Sequence, residues 1–406
     1  MNKKRILFLS RWFPFPADNG SKLRLYNLLG GLSKHYDVTL LSFTDRESGS
    51  MQRNFTHPYC EEIRTVHWRG FQPGSTRAIA GYLNYKPRSI IDTYSADMAK
   101  LIKETLQNGR FDLVIASQVD MAAYKDHFAG YSALFDEVEI GAFHQQVAQA
   151  ALPTGRARAA LRWWKYQKYI ASLVRGFHYC TVVSEPERML LVKAGVPAEK
   201  IQLLPNSVDL KAYRGIGGEP ERNTLIFPGS IRFYANHDAV AWFLKDIFPL
   251  IRNEAPEVQL KITGDQGDIS FPHQPGVHFT GFLEDVKPAI ASSWISLAPI
   301  RMGGGTRLKI LESMSLGTPV VSTSKGAEGL AVIHNEHLLL ADTPQEFAGQ
   351  VIRLLFDAQL RHALGENGKR LVSEQYDWAK TLDRFLNLVN LTINNVKTGQ
   401  MATMPL

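Results

Sequence analysis

The chain has 406 residues, with 46 Lys and Arg against 39 Asp and Glu, and a formal net charge of +7. That length predicts two domains of roughly 200 residues, because single cores stop growing near about 250–300 residues. An apolar content of 45% is that of a globular chain, no run reaches the ~18 apolar residues of a membrane span, and two cysteines, Cys60 and Cys180, fit a reducing cytoplasm without a disulfide framework.

Residues 6–10 follow Lys3, Lys4 and Arg5, but they are too few for a signal-peptide core and read as a buried first strand. The strand runs into RWFPFPADNGSKLR, where Gly20 occupies a turn ahead of a helix over 23–32. Ligands of open α/β sheets bind at the carboxyl ends of strands, so Gly20 and then Arg24, one turn into the helix, are candidates for a binding cleft. Neither G-x-G-x-x-G nor the Walker G-x-x-x-x-G-K-[ST] is present. Further strands are predicted at 38–43, 113–116, 133–135 and 180–183, with a helix over 96–106 among them. Residues 135–139, FDEVE, end a strand with three carboxylates, and a carboxylate there could take the proton of an acceptor hydroxyl. Residues 156–177, RARAALRWWKYQKYIASLVRGF, predict a helix. Arg158, Arg162, Lys165 and Lys168 fall near one face, with Trp163, Ile170, Val174 and Phe177 opposite. This pattern suits a helix lying on an anionic membrane surface, and equally a cationic surface helix of an α/β domain.

The alternation breaks over 205–222, a Pro- and Gly-rich linker signature. It restarts with strands at 225–227, 259–263, 277–280, 295–299, 319–323 and 337–340, and helices that include 239–251 and 306–316. A last amphipathic helix is predicted over 378–389, with Trp378, Leu382, Phe385 and Leu386 at helical spacing. The expectation is two doubly wound α/β domains facing across a cleft, divided as 1–205 and 206–377, with residues 378–395 crossing back onto the first. Loop residues at carboxyl strand ends of the second domain are Gly229 and Ser230, Gly264, and Phe282, the last suited to line a base pocket.

The richest segment is 302–330, MGGGTRLKILESMSLGTPVVSTSKGAEGL. Gly304, Gly305 and Thr306 lead directly into Arg307, Lys309 and Glu312. Glycines permit close backbone approach, a helix N-terminus attracts an anion, and cationic side chains complete a clamp. A diphosphate lying across that helix end can meet both Arg307 and Lys309, with Leu308, Leu311 and Ser315 as the packing side and Glu312 accepting from ribose hydroxyls. No D-x-D pair and no Cys/His ligand spacing is present, so no metal is expected. The positive balance fits a phosphorylated small substrate or anionic lipid, while no zinc-finger spacing or dense basic arm supports nucleic acid.

These motifs resemble the GT-B-fold glycosyltransferases, specifically the large retaining family 4. The residues that carry the resemblance are 303–330, LPNSVD at 204–209, GSIRFYANHDAVAWF at 229–243, FPFPADNGSKLR at 13–24 and TVVSE at 181–185. The resemblance implies a nucleotide-sugar donor held by the second domain and a saccharide or lipid-linked acceptor held by the first. The products would be polysaccharide, lipopolysaccharide or glycolipid, made in the cytoplasm or on the inner membrane face. It implies no cofactor. Glu312 matches the second glutamate of the family's E-x7-E motif, whereas Gly304 stands where the first is expected. Arg232 follows the Gly229 turn, but no lysine comes before Lys245. Val138 stands where relatives place a histidine, leaving Asp136 and Glu139 as catalytic candidates beside Arg307 and Lys309, and Gly20 N–H as a further donor-side contact. A nucleotide-sugar 2-epimerase and a non-catalytic nucleotide-sugar-binding protein are the competing readings.

Overall fold

Ile6, Leu7, Phe8 and Leu9 have no exposed surface, as expected of a parallel strand covered on both faces. They form β1 (Lys4–Ser10), which pairs in parallel with β2 (Tyr36–Thr44) on one side and β5 (Leu113–Ser117) on the other. The computed structural model describes residues 3–45, 55–141, 143–144, 147, 152–218, 220–303 and 307–398. It divides into one unit of Met1–Pro205 with Leu382–Leu406 and another of Asn206–Thr381.

The first unit holds an eight-stranded sheet. It adds β3 (Phe55–His57), β4 (Cys60–His67), β6 (Ala133–Asp136), β7 (Tyr179–Val182) and β8 (Ile201–Leu203), in the order β3-β4-β2-β1-β5-β6-β7-β8. All described pairings are parallel except β3 with β4. The helices used below are α1 (Gly20–Ser33), α2 (Thr76–Ala80), α3 (Arg88–Thr93), α4 (Ala96–Asn108), α5 (Gln118–Ala122), α6 (Pro153–Val174) and α7 (Glu185–Lys193). β3, β4 and β8 were not expected. β4 reads CEEIRTVH and carries charge at its more exposed positions, while β8 is only three residues long.

The second unit holds a six-stranded, all-parallel sheet: β9 (Glu221–Phe227), β10 (Gln259–Thr263), β11 (Val277–Gly281), β12 (Ser293–Ala298), β13 (Val320–Ser322) and β14 (Leu339–Leu340). Their order is β11-β10-β9-β12-β13-β14. Its helices are α8 (Tyr234–Trp242), α9 (Phe248–Glu254), α10 (Lys287–Ala291), α11 (Leu308–Ser315), α12 (Pro344–Phe356) and α13 (Ala358–Gln375). The stretch expected as a linker is partly ordered: Val208 bridges to Asp377, and a 3-10 turn spans Leu210–Tyr213.

α14 (Trp378–Thr398) begins in the second unit, and its residues from Leu382 onward pack on the first. Tyr36 Oη donates to Asn390 Oδ1 at 2.7 Å, and Gly31 faces Leu382 so closely that a Cβ there would lie 2.7 Å from Leu382 Cδ2. Among the described residues no helix is long and apolar enough to cross a membrane.

Candidate active site

The second unit concentrates its chemistry where β9, β10 and α11 converge. Ile310, Leu311 and Met314 are buried, and Ser313 Oγ donates to Ser296 Oγ of β12 at 2.7 Å, which seats α11 on the sheet. Leu308 and Ser315, expected on the packing side, are half-buried, because the buried stripe is centred on 310–311 and 313–314. Lys309 and Glu312 flank that stripe and are half-buried.

Lys309 Nζ donates to Asn236 Oδ1 at 2.9 Å and sits 4.1 Å from the ring centre of Phe227, the last residue of β9. Asn236 Nδ2 in turn donates to Ser230 O at 2.8 Å, so the amide ties the lysine to the Gly229–Ser230 turn. Burial pushes the Lys309 pKa from its ordinary 10.5 down to about 7, with Arg307 adding to the fall and Glu312 opposing it. An amine so placed lacks a full counter-charge, and an arriving anion would supply it. Glu312 is held by Tyr213, whose Oη donates to its Oε1 at 3.2 Å. Burial raises the Glu312 pKa, against the Tyr213 bond, Lys287 and Lys309.

The turns around this lysine leave room only for glycine. Gly229 has φ +134°, and a Cβ on it would lie 3.0 Å from Asn236 Nδ2 and 3.3 Å from Lys309 Nζ. Gly264 has φ +104°, and a Cβ there would lie 2.6 Å from the Gly229 carbonyl carbon. Ser230 Oγ and Ile231 N both donate to Asp265 O at 3.1 Å, joining the two loops. Gly264→Ala is therefore expected to destabilise the second unit by at least about 2 kcal/mol through strain and overlap. Thermal unfolding of the variant checks this, and an unchanged midpoint would contradict it.

Several expectations need correction. α11 starts at Leu308, not Thr306, and Arg307 is its cap residue rather than a helical one, with ψ 41°. The Arg307 guanidinium reaches Glu328. Its Nη2 lies 3.4 Å from Glu328 Oε2, which also receives Lys325 Nζ at 2.5 Å. Phe282, expected to line a base pocket, is 78% exposed and so takes no part in the core. Gly304, Gly305 and Thr306 lie outside the described residues. Arg232 is exposed and paired with Asp265 at 2.9 Å. Asn236 and Tyr213 were not singled out from the sequence, although Asn236 falls within the segment 229–243 that resembles the family.

The first unit also departs from expectation. Arg24 on α1 and Asp136 at the end of β6 form an ion pair at 2.7 Å with no exposed side-chain surface on either partner. Asp136 also accepts from Ser117 Oγ at 3.2 Å and Thr181 Oγ1 at 2.7 Å, and Arg24 Nη1 donates to Leu204 O at 3.0 Å. Burial alone would lower the Arg24 pKa, yet Asp136 and then Glu137 raise it. Arg24, expected as an acceptor contact, and Asp136, expected as a base, are thus both enclosed and paired with each other. Glu139 is exposed, and Gly20 opens α1 after Asn19, whose side chain accepts from Lys22 N at 3.1 Å.

Glu137, one of the three carboxylates of the 135–139 segment, is buried with φ +59°, and accepts from Nε2 of Gln118, itself at φ +69°, at 3.0 Å. Both strained residues follow carboxyl strand ends, of β6 and β5. Burial pushes the Glu137 pKa up to about 8 against the pull of Arg24, with Glu139 and Asp136 adding to the rise. A left-handed φ at a glutamate has no sequence signal.

Comparison with known proteins decides the family. The model for Glycosyltransferase Family 4 matches residues 19–212, and that for Glycosyl transferases group 1 matches residues 222–357. The chain is a family 4 glycosyltransferase. This glycosyltransferase is 21% identical over 403 residues to an uncharacterized 44.6 kDa protein in the cps region of Klebsiella pneumoniae, covering 93% of this chain and 97% of that one. Sucrose-phosphate synthase from Thermosynechococcus elongatus superposes with a TM-score of 0.66 at 16% identity, covering 96% of this chain and 98% of that one. HepE of Anabaena, in complex with UDP and glucose, gives 0.62 at 15%, covering 95% and 99%. At those identities the structures show the GT-B fold, two Rossmann-like α/β units. The amine of Lys309 and the glycine turns of this glycosyltransferase lie at the carboxyl ends of β9 and β10.

Proposed function

We propose that this glycosyltransferase moves a hexosyl group from a nucleoside-diphosphate sugar to a hydroxyl of a saccharide or lipid-linked acceptor, with retention at the anomeric carbon. The observation that carries the donor half is Lys309, a half-buried amine without a full counter-charge, fastened by Asn236 beside two glycine turns. In the reaction the bond from the anomeric carbon to the β-phosphate oxygen breaks and one to the acceptor oxygen forms. Charge develops on the departing diphosphate, where a preorganised cation does most good. Lys309 takes that charge, with Arg307 and the N-terminus of α11 beside it, and no metal is needed. Glu312, oriented by Tyr213, accepts from the ribose hydroxyls. Of the carboxylates that close β6, Glu139 is the one open to solvent and the one that would receive the acceptor proton. Assembly of surface polysaccharide or glycolipid, in the cytoplasm or at an anionic membrane face, is the setting that fits.

The test is thermal unfolding with uridine, guanosine, adenosine and thymidine diphosphates. A ligand at a hundredfold excess over its Kd contributes about 2.7 kcal/mol, or roughly 5–10 °C for a unit of this size. The uridine compound is tried first because HepE binds UDP. If none of the four moves the midpoint, the donor site is misassigned. With the matching nucleotide sugar, release of nucleotide only when acceptor is present supports transfer. Conversion of donor without acceptor indicates an epimerase, and binding without turnover a non-catalytic protein. Addition of EDTA is expected to leave the transfer rate unchanged.

A further inference from the structure

The helix expected on a membrane surface is turned otherwise than its sequence suggested. Ile170, Val174 and Phe177, assigned to the lipid side, are enclosed in the core of the first unit, and Trp163 packs against that core. What α6 leaves in solvent is a different stripe. Arg158, Leu161, Trp164 and Lys168 recur at three- and four-residue spacing, with Leu161 and Trp164 both more than half exposed.

The structure sets a second segment beside that stripe. Lys165 Nζ donates to Gly81 O at 2.9 Å, which brings α6 against the 3-10 turn Gly81–Leu83. Leu83 at the tip is 97% exposed, flanked by the exposed rings of Tyr82 and Tyr85. This tip is built, not frayed. Arg88 donates to Ala78 O at 2.7 Å, Pro73 O at 2.6 Å and Tyr82 Oη at 2.7 Å, and its guanidinium stacks 3.8 Å from the Tyr82 ring centre. Asp92 closes the base by accepting from Gln72 N at 2.7 Å and from the Ser75 hydroxyl. A fold that fastens a leucine and two tyrosines outward has kept an apolar face for an interface.

Charge says which interface. No Asp or Glu occurs from residue 63 to 91 or from 140 to 184, while Arg69, Arg77, Lys86, Arg156, Arg158, Arg162 and Lys168 do. Those two acid-free stretches are the ones joined at Lys165. Apolar tips flanked by these cations, with Asp92 tied into the base of the turn, fit an anionic lipid headgroup layer, with tyrosine and tryptophan at the headgroup level and leucine below it.

We propose that the exposed stripe of α6 and the Gly81–Leu83 turn form one surface that seats the first unit on an anionic bilayer. It rests on the transferase reading only in that a lipid-linked acceptor would be met there. Binding itself requires no catalysis.

The experiment is co-sedimentation of the full chain with vesicles of phosphatidylcholine alone or with 30% phosphatidylglycerol, at low and high salt. Binding is expected to the anionic vesicles alone, weakening with salt by roughly fivefold for each cation engaged. Leu83→Glu with Trp164→Glu, both solvent positions, is expected to lower that binding at least tenfold while the nucleotide-induced thermal shift stays that of the parent. Absence of binding at low salt would overturn the proposal. So would equal binding by the double variant, since charge adsorption alone would then suffice. A dimer of the chain in solution that the same substitutions dissolve would assign the surface to a second copy and overturn it too. A vesicle-binding chain that ignores every nucleoside diphosphate leaves this surface standing and removes the donor site instead.

Discussion

Lys309→Met is expected to lower kcat/KM for transfer by about 10²–10³ while leaving the fold intact. Removing one preorganised donor from a developing oxyanion costs on the order of that factor, and methionine fills the space of the alkyl stem beside the Phe227 ring. The variant should be no less stable than the parent, and at pH 6 more so. Burial lowers the Lys309 pKa to about 7 from 10.5, so the unfolded chain holds the extra proton between those values. Stability of the parent therefore rises with pH across that window, and below it the charged amine costs its full desolvation. The same shift makes donor binding a proton-linked event. A diphosphate beside Nζ restores the ammonium, so at pH 8 binding should take up close to one proton, about nine-tenths if the starting pKa is near 7. Calorimetry in two buffers of different ionisation enthalpy reads that number directly. An uptake near zero in the parent, or a normal transfer rate in Lys309→Met, would remove the amine from the donor site.

Both sheets were legible from the chain because parallel strands buried on two faces must be short apolar runs, as residues 6–9 and 113–116 are. The hairpin of β3 and β4 was not, since Glu61, Glu62 and Arg64 interrupt its apolar pattern. The segment proposed to hold the donor was readable where chemistry is local: glycines, cations and a glutamate within ten residues. Its partners were not, because Asn236 is 73 residues from Lys309 and Tyr213 is 99 from Glu312, and an amide or a phenol at such distance has no periodic signature. α6 shows the opposite difficulty. Two of its faces carry apolar residues, so composition alone could not say which one the core would claim. The alternation of Ile170, Leu173 and Val174 with Leu161 and Trp164 resolves only once β6 and β7 are in place to cover one of them.

Asp136→Asn is expected to cost the first unit about 3–5 kcal/mol, the usual penalty for leaving one member of a buried ion pair uncompensated. Arg24 would keep its charge, with neither side chain having any exposed surface from which water could replace the lost carboxylate. The damage should spread. Thr181 Oγ1 donates to Asp136 and accepts from Glu137 N at 2.9 Å, so loosening Asp136 also loosens the strained Glu137 that Gln118 holds. Replacing both partners, as Arg24→Met with Asp136→Leu, is expected to recover most of the loss because no orphan charge remains. Recovery should stop short by about 1–2 kcal/mol, since Ser117 Oγ loses an acceptor and Leu204 O loses its donor. Urea titration followed by a probe in the first unit measures both variants, and activity is assayed well below their midpoints. If Asp136 were instead the group that takes the acceptor proton, Asp136→Asn would keep its unfolding midpoint and lose its turnover. The opposite pattern, a large fall in midpoint with turnover retained in the folded fraction, is the one that an enclosed Arg24–Asp136 pair requires.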